Sequence, residues 1–303
     1  MKQIMSLVKR NILVYTRNRS NVISSLFTMV IIVILMTAFI GDSMRDSIVS
    51  LLAELGTRDV AADKLNASIY ILNWIIAGIL LVNSVTVSLA VVGIMIEDLE
   101  NNKLNSMYVA PMKRSRFVIG YVITGFIVAF VMGLLTIGFA ELIVVSKGGA
   151  VLTAGELLRL IGVLAIVVFV FSSFSFLCVL AVNSSSTFSH VSGLVGTLVG
   201  FFAAIYIPVG QFPSQIVNVL KCLPTLVGSS LFREIFTKAS GAKLFEGVPQ
   251  DTIVEVNKAF GNSIYYGDQE ASFLLRMAIL VASGIIFLGI AIVVMRKKQL
   301  RDR

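Results

Sequence analysis

Long apolar runs alternate along the chain with shorter polar and charged segments. About 18–20 apolar residues cross the ~30 Å hydrocarbon core as a helix, and lipid offers the backbone no partner other than itself. The pattern therefore predicts six spanning helices, at about 21–40, 69–96, 117–145, 157–182, 191–207 and 272–295, in an all-α membrane protein. The fourth and fifth runs are parted only by NSSSTFSH, residues 183–190, which reads as a turn. Ahead of the first run, Ile4, Met5, Val8, Ile12 and Tyr15 fall on one helical face, with Lys2, Lys9, Arg10 and Arg17 on another. Such a stretch, over residues 1–20, is expected to lie in the headgroup plane as an amphipathic helix, either as a topology anchor or as a docking surface. Residues 208–271 are mixed. The part from 208 to 238 holds three prolines and two apolar stretches too short to span, which fits re-entrant or interfacial helices in an outer loop.

Composition agrees with a bilayer as solvent. Of 303 residues, 57% are hydrophobic and 14% charged, and the mean hydropathy is +0.92. A soluble domain has no place for that much apolar surface. The formal charge of +8 would suggest nucleic acid in a soluble protein, but here the basic residues flank apolar runs and set topology instead. Fourteen lysines and arginines fall in residues 1–20, 97–116 and the C-terminal tail, against about nine in the longer opposite loops. Both termini and the 97–116 loop are therefore expected on the cytoplasmic side of a cell membrane. The first 20 residues stay basic too long for a cleavable signal peptide, so the first span is expected to remain. Cys178, Cys222 and the lone His190 make neither a disulfide framework nor a metal site.

The segment 97–116, EDLENNKLNSMYVAPMKRSR, carries more pattern than a plain loop needs. Leu104, Met107 and Tyr108 line one helical stripe, Glu97 and Glu100 lie nearby on the same side, and Pro111 ends the helix. A partner-docking helix and a solvated loop both fit. Within the spans the polar residues are costly and tend to face a cavity or another helix: Asn73, Asn83, Ser84, Thr86 and Ser88 in the second, Ser172, Ser173 and Ser175 in the fourth. Helix packing accounts for them as readily as a pathway does. Glu141, the acid of the third span, is expected at the outer interface. Gly196 and Gly200 form a GxxxG pair suited to close helix contact, within the chain or between copies. The sequence holds no GxxxxGK[ST] phosphate cradle, no GxSxG and no HExxH, so no ATP chemistry is expected of this chain.

Taken in order, these parts resemble the type-2 permeases of ABC exporters. The resemblance rests on the N-terminal helix, the six apolar runs, the loop EDLENNKLNSMYVAPMKRSRFVIGY with its proline and basic end, and the outer stretch YIPVGQFPSQIVNVLKCLPTLVGSSLFREIF, closed by Arg233. It covers essentially the whole chain. It implies a permease that binds no cofactor itself, working with ABC ATPase subunits that carry ATP and magnesium. It also implies a second permease copy, identical or related, in a prokaryotic plasma membrane. By the resemblance Glu97, Glu100, Leu104, Met107, Tyr108 and Pro111 form the coupling helix received by the ATPase, and Asn83, Thr86 and Tyr206 become candidate pathway residues. The stretch 239–270 is long for the family's outer loop. The function implied is export of a drug, lipid or peptide-like molecule. The alternative is an ATP-independent membrane scaffold or sensor, which would need no coupling helix. An intramembrane enzyme would need a catalytic constellation, and the sequence holds none.

Overall fold

The computed structural model describes residues 2–56, 58–101, 103 and 114–301. The chain is almost wholly helical. α1 (Lys2–Arg17) leads into α2 (Arg19–Met36), which passes through a π-helical turn (Thr37–Gly41) into α3 (Asp42–Ala53). The long helices follow: α4 (Val60–Glu100), α5 (Arg114–Ser146), α6 (Ala154–Leu180) and α7 (Ser185–Phe202). Four short helices come next, α8 (Ser214–Leu220), α9 (Pro224–Phe236), α10 (Lys238–Leu244) and α11 (Gln250–Phe260). A two-residue hairpin, β1 (Tyr265–Tyr266) and β2 (Gln269–Glu270), precedes the final helix α12 (Phe273–Arg301).

Local chemistry sets the boundaries. Asp59 caps α4 by accepting from the Ala61 and Ala62 amides, and no proline interrupts the 41 residues that follow. Thr153 and Glu156 form a reciprocal capping box on α6. Ser184 caps α7 through the Thr187 amide, so this helix starts within the polar NSSS run. Pro224 opens α9 at a position where its missing N–H costs nothing. Gly261 ends α11 in the left-handed region at φ 68°.

Among the described residues four helices are long and apolar enough to cross a membrane: Val60–Glu100, Ser115–Ser146, Ala154–Leu180 and Phe273–Lys297. They correspond to the expected runs at 69–96, 117–145, 157–182 and 272–295. The pair α8 and α9, bent by 85°, makes a fifth if it counts as one broken span. Two expected spans are not in this set. The expected run 21–40 is helical throughout, as α2 and the π-helical turn that continues it, and its side chains are described only in part. α7 begins with the polar SSTFSH, and its helix stops at Phe202 rather than reaching 207. The stop is set by Ala204, whose backbone is left-handed at φ 53°. The charged stretch after α2 is itself helical, because Met44, Ile48, Val49 and Leu52 bury one face of α3 against α4.

α4 is the axis of the bundle. It packs against α2, α3, α5, α6, α7, α9 and α10, whereas α12 packs chiefly on α6 and leaves much of its surface exposed. Most polar side chains inside the helices stay within the bundle. Asn83 Nδ2 donates to Thr136 Oγ1 at 2.6 Å, Ser88 and Ser172 meet at 3.2 Å, and Ser84, Thr86 and Ser173 donate to carbonyls four residues earlier. Glu141 accepts from the Leu152 amide at 3.1 Å and so closes the turn between α5 and α6. α1 lies against α5 rather than apart from the bundle. Leu7, Val8 and Tyr15 are buried and Met5 is exposed, a face turned from the one expected, and Leu7 fills the space left by the missing side chain of Gly120.

The region after α7 forms a cap over the start of α4. Trp74 Nε1 donates to the Phe260 carbonyl at 2.8 Å, and Asn73 Nδ2 donates to Ser240 Oγ at 3.1 Å. Asn262 Nδ2 donates to the Tyr70 hydroxyl at 2.7 Å. Arg58 pairs with Asp63 and also donates to the carbonyls of Glu246 and Leu244. The long stretch 239–270 is thus a tightly attached part of the fold.

Candidate functional site

α4 and α7 run side by side, and two glycines in them lie against bulky rings: Gly93 of α4 against a ring of α7, and Gly200 against a ring just past the end of its own helix. A Cβ on Gly93 would collide with the Phe188 ring, and one on Gly200 with the Tyr206 ring. Each glycine therefore makes room for an aromatic side chain of the same protein. Gly193 has open space where its side chain would be, and Gly196 faces only the Thr86 methyl at 3.7 Å. Of the GxxxG pair, Gly200 is turned inward, and its role lies within the chain.

Between the two helices, toward the end of α4 that meets α1, lies a cavity of about 260 Å³. Thr86 and Glu97 from α4 and Ser185, Phe188, Ser189 and Ser192 from α7 line it. A residue expected on a pathway and one expected on a coupling helix therefore share one cleft. Of the other two expected pathway residues, Tyr206 sits beyond the far end of α7, edge-on to Phe201 at 5.1 Å, and Asn83 turns its amide toward α5.

Below the cleft, α4 is held on two sides. Asp98 is buried, 2% exposed, and receives both terminal nitrogens of the Arg10 guanidinium from α1. The Tyr121 hydroxyl donates to the same carboxylate at 2.9 Å. Asp98, first through its hydrogen bond and then through its charge, holds the Arg10 pKa above the ordinary arginine value. On the other side Glu100 reaches α7: the Ser185 amide donates to Oε1 at 2.6 Å and the Ser185 hydroxyl to Oε2 at 2.5 Å. A carboxylate at a helix N-terminus offsets the positive end of the helix dipole. Adjacent residues on a helix point about 100° apart, so Asp98 serves α1 while Glu97 faces the cleft. Leu104, Met107, Tyr108 and Pro111 lie outside the described residues.

Sequence reading did not single out Asp98, Tyr121 or Ser185. Arg10 and Asp98 are 88 positions apart, and no local periodicity announces such a pair. The one local hint was an acid beside Glu97 at the end of an otherwise apolar helix.

At the opposite end a second junction is built around Arg233, which is 0% exposed. Its Nη2 donates to the carbonyls of Ala203 at 2.9 Å and Ala204 at 2.8 Å, and its Nη1 to that of Phe260 at 3.2 Å. The guanidinium carbon lies 4.4 Å from the centre of the Trp74 ring. The same turn carries the helix-closing bonds Ile205 N to Gly200 O and Ala204 N to Phe201 O. A cation thus sits at the carbonyl end of α7, where the dipole favours it. A cavity of about 450 Å³ lies beside this cap, lined in part by Lys221, Lys258 and Glu255. Among the described residues no cluster of His, Cys, Asp or Glu is arranged to hold a metal ion.

The sequence from residue 43 to residue 293 matches the model of a family described as ABC-2 family transporter protein. No curated protein matches the chain.

Proposed function

Since the chain belongs to the ABC-2 transporter family, and is by that membership the membrane permease of an ABC transporter, we propose that it forms the translocation pathway of an ATP-driven exporter. In this reading separate ATPase subunits bind ATP and magnesium, and a second permease copy completes the pathway. α2 and α7 join the four long helices to make six spans, with the bent α8–α9 pair re-entrant on the outer side. Both termini and the 97–116 segment are cytoplasmic in a prokaryotic plasma membrane, and the cargo is a drug-like, lipid or peptide-like molecule.

The observation that carries the reading is the continuity of α4. One unbroken helix joins the Thr86–Glu97 cleft to the segment 101–113, and its end is held by α1 through Asp98 and by α7 through Glu100. A push on that segment reaches α7 directly. In this reading the ATPase receives the sequence stripe of Leu104, Met107 and Tyr108, which Pro111 ends. Glu97 and Glu100 pass the displacement on, because their carboxylates address α7. Nucleotide binding closes the ATPase pair, the segment moves, and the equilibrium between inward- and outward-open states shifts by the difference in affinity for the two.

The test is purification of the tagged chain from its native membrane, followed by photolabelling with azido-ATP and assay of ATP hydrolysis. The expected result is a co-purifying ATP-binding subunit that hydrolyses ATP, with no labelling of this chain. Tyr108→Ala together with Met107→Ala should leave hydrolysis measurable and abolish its link to transport. Isolation of the chain with no nucleotide-binding partner would instead favour an ATP-independent membrane component.

A further inference from the structure

The cleft between α4 and α7 has a one-sided chemistry. Glu97 is its sole carboxylate, and among the described residues no lysine, arginine or histidine lines it. Thr86, Ser185, Ser189 and Ser192 supply oxygen atoms, and Phe188 an aromatic ring. The Ser192 hydroxyl is shielded from solvent and has no hydrogen-bond partner among the described residues. The volume of about 260 Å³ is several times the ~30 Å³ share of one water. The start of α7 would ordinarily make this a place for anions, because helix N-termini carry partial positive charge. Here that end is already occupied: Glu100 takes both the amide and the hydroxyl of Ser185. What remains is a negative, hydroxyl-rich recess with an apolar wall between two packed helices.

We propose that this cleft takes the cationic head of an amphiphile, with the Glu97 carboxylate as its counter-charge. The inference rests on reading the cleft as part of the pathway, and it narrows the cargo from any amphiphile to an organic cation. A protonated or quaternary ammonium, or a phosphonium, gains the Coulomb term at Glu97, whose exposed side chain stands at the edge of the cleft. It also gains contact with the Phe188 ring. A primary or secondary ammonium can further donate to Ser189, Ser192 or Thr86 Oγ. An anion of equal size meets the same wall and an opposing charge.

The test uses the full chain in nanodiscs of zwitterionic lipid, with no ATPase and no nucleotide, so that any part Glu97 plays in coupling does not enter. Binding of tetraphenylphosphonium is measured by calorimetry and compared with tetraphenylborate, which has the same shape and the opposite charge. The phosphonium should bind more tightly. Glu97→Gln should weaken it about two- to fivefold, Glu97→Asp should largely retain it, and Ser192→Ala should lower the affinity of a primary amine probe by about two- to fivefold. Glu255→Gln, at the opposite end, should leave it unchanged. Equal affinity for phosphonium and borate, or a Glu97→Gln protein that elutes as wild type and binds the phosphonium equally well, overturns the proposal. The exporter reading fails separately, by absence of a nucleotide-binding partner, and cation binding to the isolated chain does not depend on it.

Discussion

Single residues carry strain and burial that can be tested one at a time. Ala204 holds φ 53° at the end of α7, a conformation that a side chain disfavours. Ala204→Gly should stabilise the protein by about 1 kcal/mol, since glycine adopts that region freely, read as a higher midpoint in thermal unfolding in detergent. No change would mean that the turn relaxes without it. Arg233→Ala should do the opposite, because it strips partners from three buried carbonyls, and an unsatisfied buried polar group costs about 1–3 kcal/mol. Arg233→Lys should recover part of the loss, having the charge but not the fork. Gly200→Leu tests a third position. Its side chain would displace the Tyr206 ring of the same chain, so the expected outcome is a cost of ~1–3 kcal/mol in stability, with the oligomeric state unchanged by mass photometry. The glycine spacing was visible in the sequence, whereas its direction was not: GxxxG marks a close approach without saying by what.

At the scale of elements, the apolar runs at 69–96, 117–145, 157–182 and 272–295 were legible because hydropathy over some twenty residues is a strong signal. The boundaries of α7 were less so. Its start follows from Ser184, a hydrogen-bonding cap that hydropathy ignores, and its end from a left-handed turn stabilised by Arg233, 29 residues later. The clasp of α1 on α4 was illegible for the same reason, and it makes a prediction of its own. Asp98→Asn removes a buried charge-assisted bidentate pair, each such hydrogen bond being worth about 1.5–3 kcal/mol. α1 should then loosen while the bundle persists, and limited trypsin should cut at Lys9 or Arg10 faster than in the wild type. Equal cleavage rates would show that Leu7 and Val8 alone hold α1 in place.

For the whole molecule, the two ends of the bundle differ in character: α1 and the Asp98 clasp at one, the cap of α8 to α11 and the hairpin at the other. The proposed topology puts the first on the cytoplasmic side, on the strength of the basic residues. In a background lacking Cys178 and Cys222, a cysteine at Asp268, exposed in the hairpin turn, should react with an impermeant maleimide in intact cells. A cysteine at Asn18, exposed after α1, should react only after permeabilisation. Reaction of both from outside would overturn the six-span arrangement. Four of the six expected spans came from one dimension of information, the run lengths. The cap's attachment through Tyr70, Asn73 and Trp74 did not, because these residues look like ordinary span residues until their partners 167 to 192 positions away are known. The length of α4 has one more consequence. At about 1.5 Å per residue, its 41 residues make a rod of about 60 Å, well beyond the ~40–45 Å of a whole bilayer. With no proline to bend it and Arg233 of α9 stacked on its Trp74 near one end, the rod would act in the proposed transport cycle as a lever pivoted off-centre. The arm below the pivot is the longer one, about 35 Å from Trp74 to Glu97, so a tilt of about 4° at Trp74 would move Glu97 by about 2–3 Å. The mouth of the cleft is where that travel is largest.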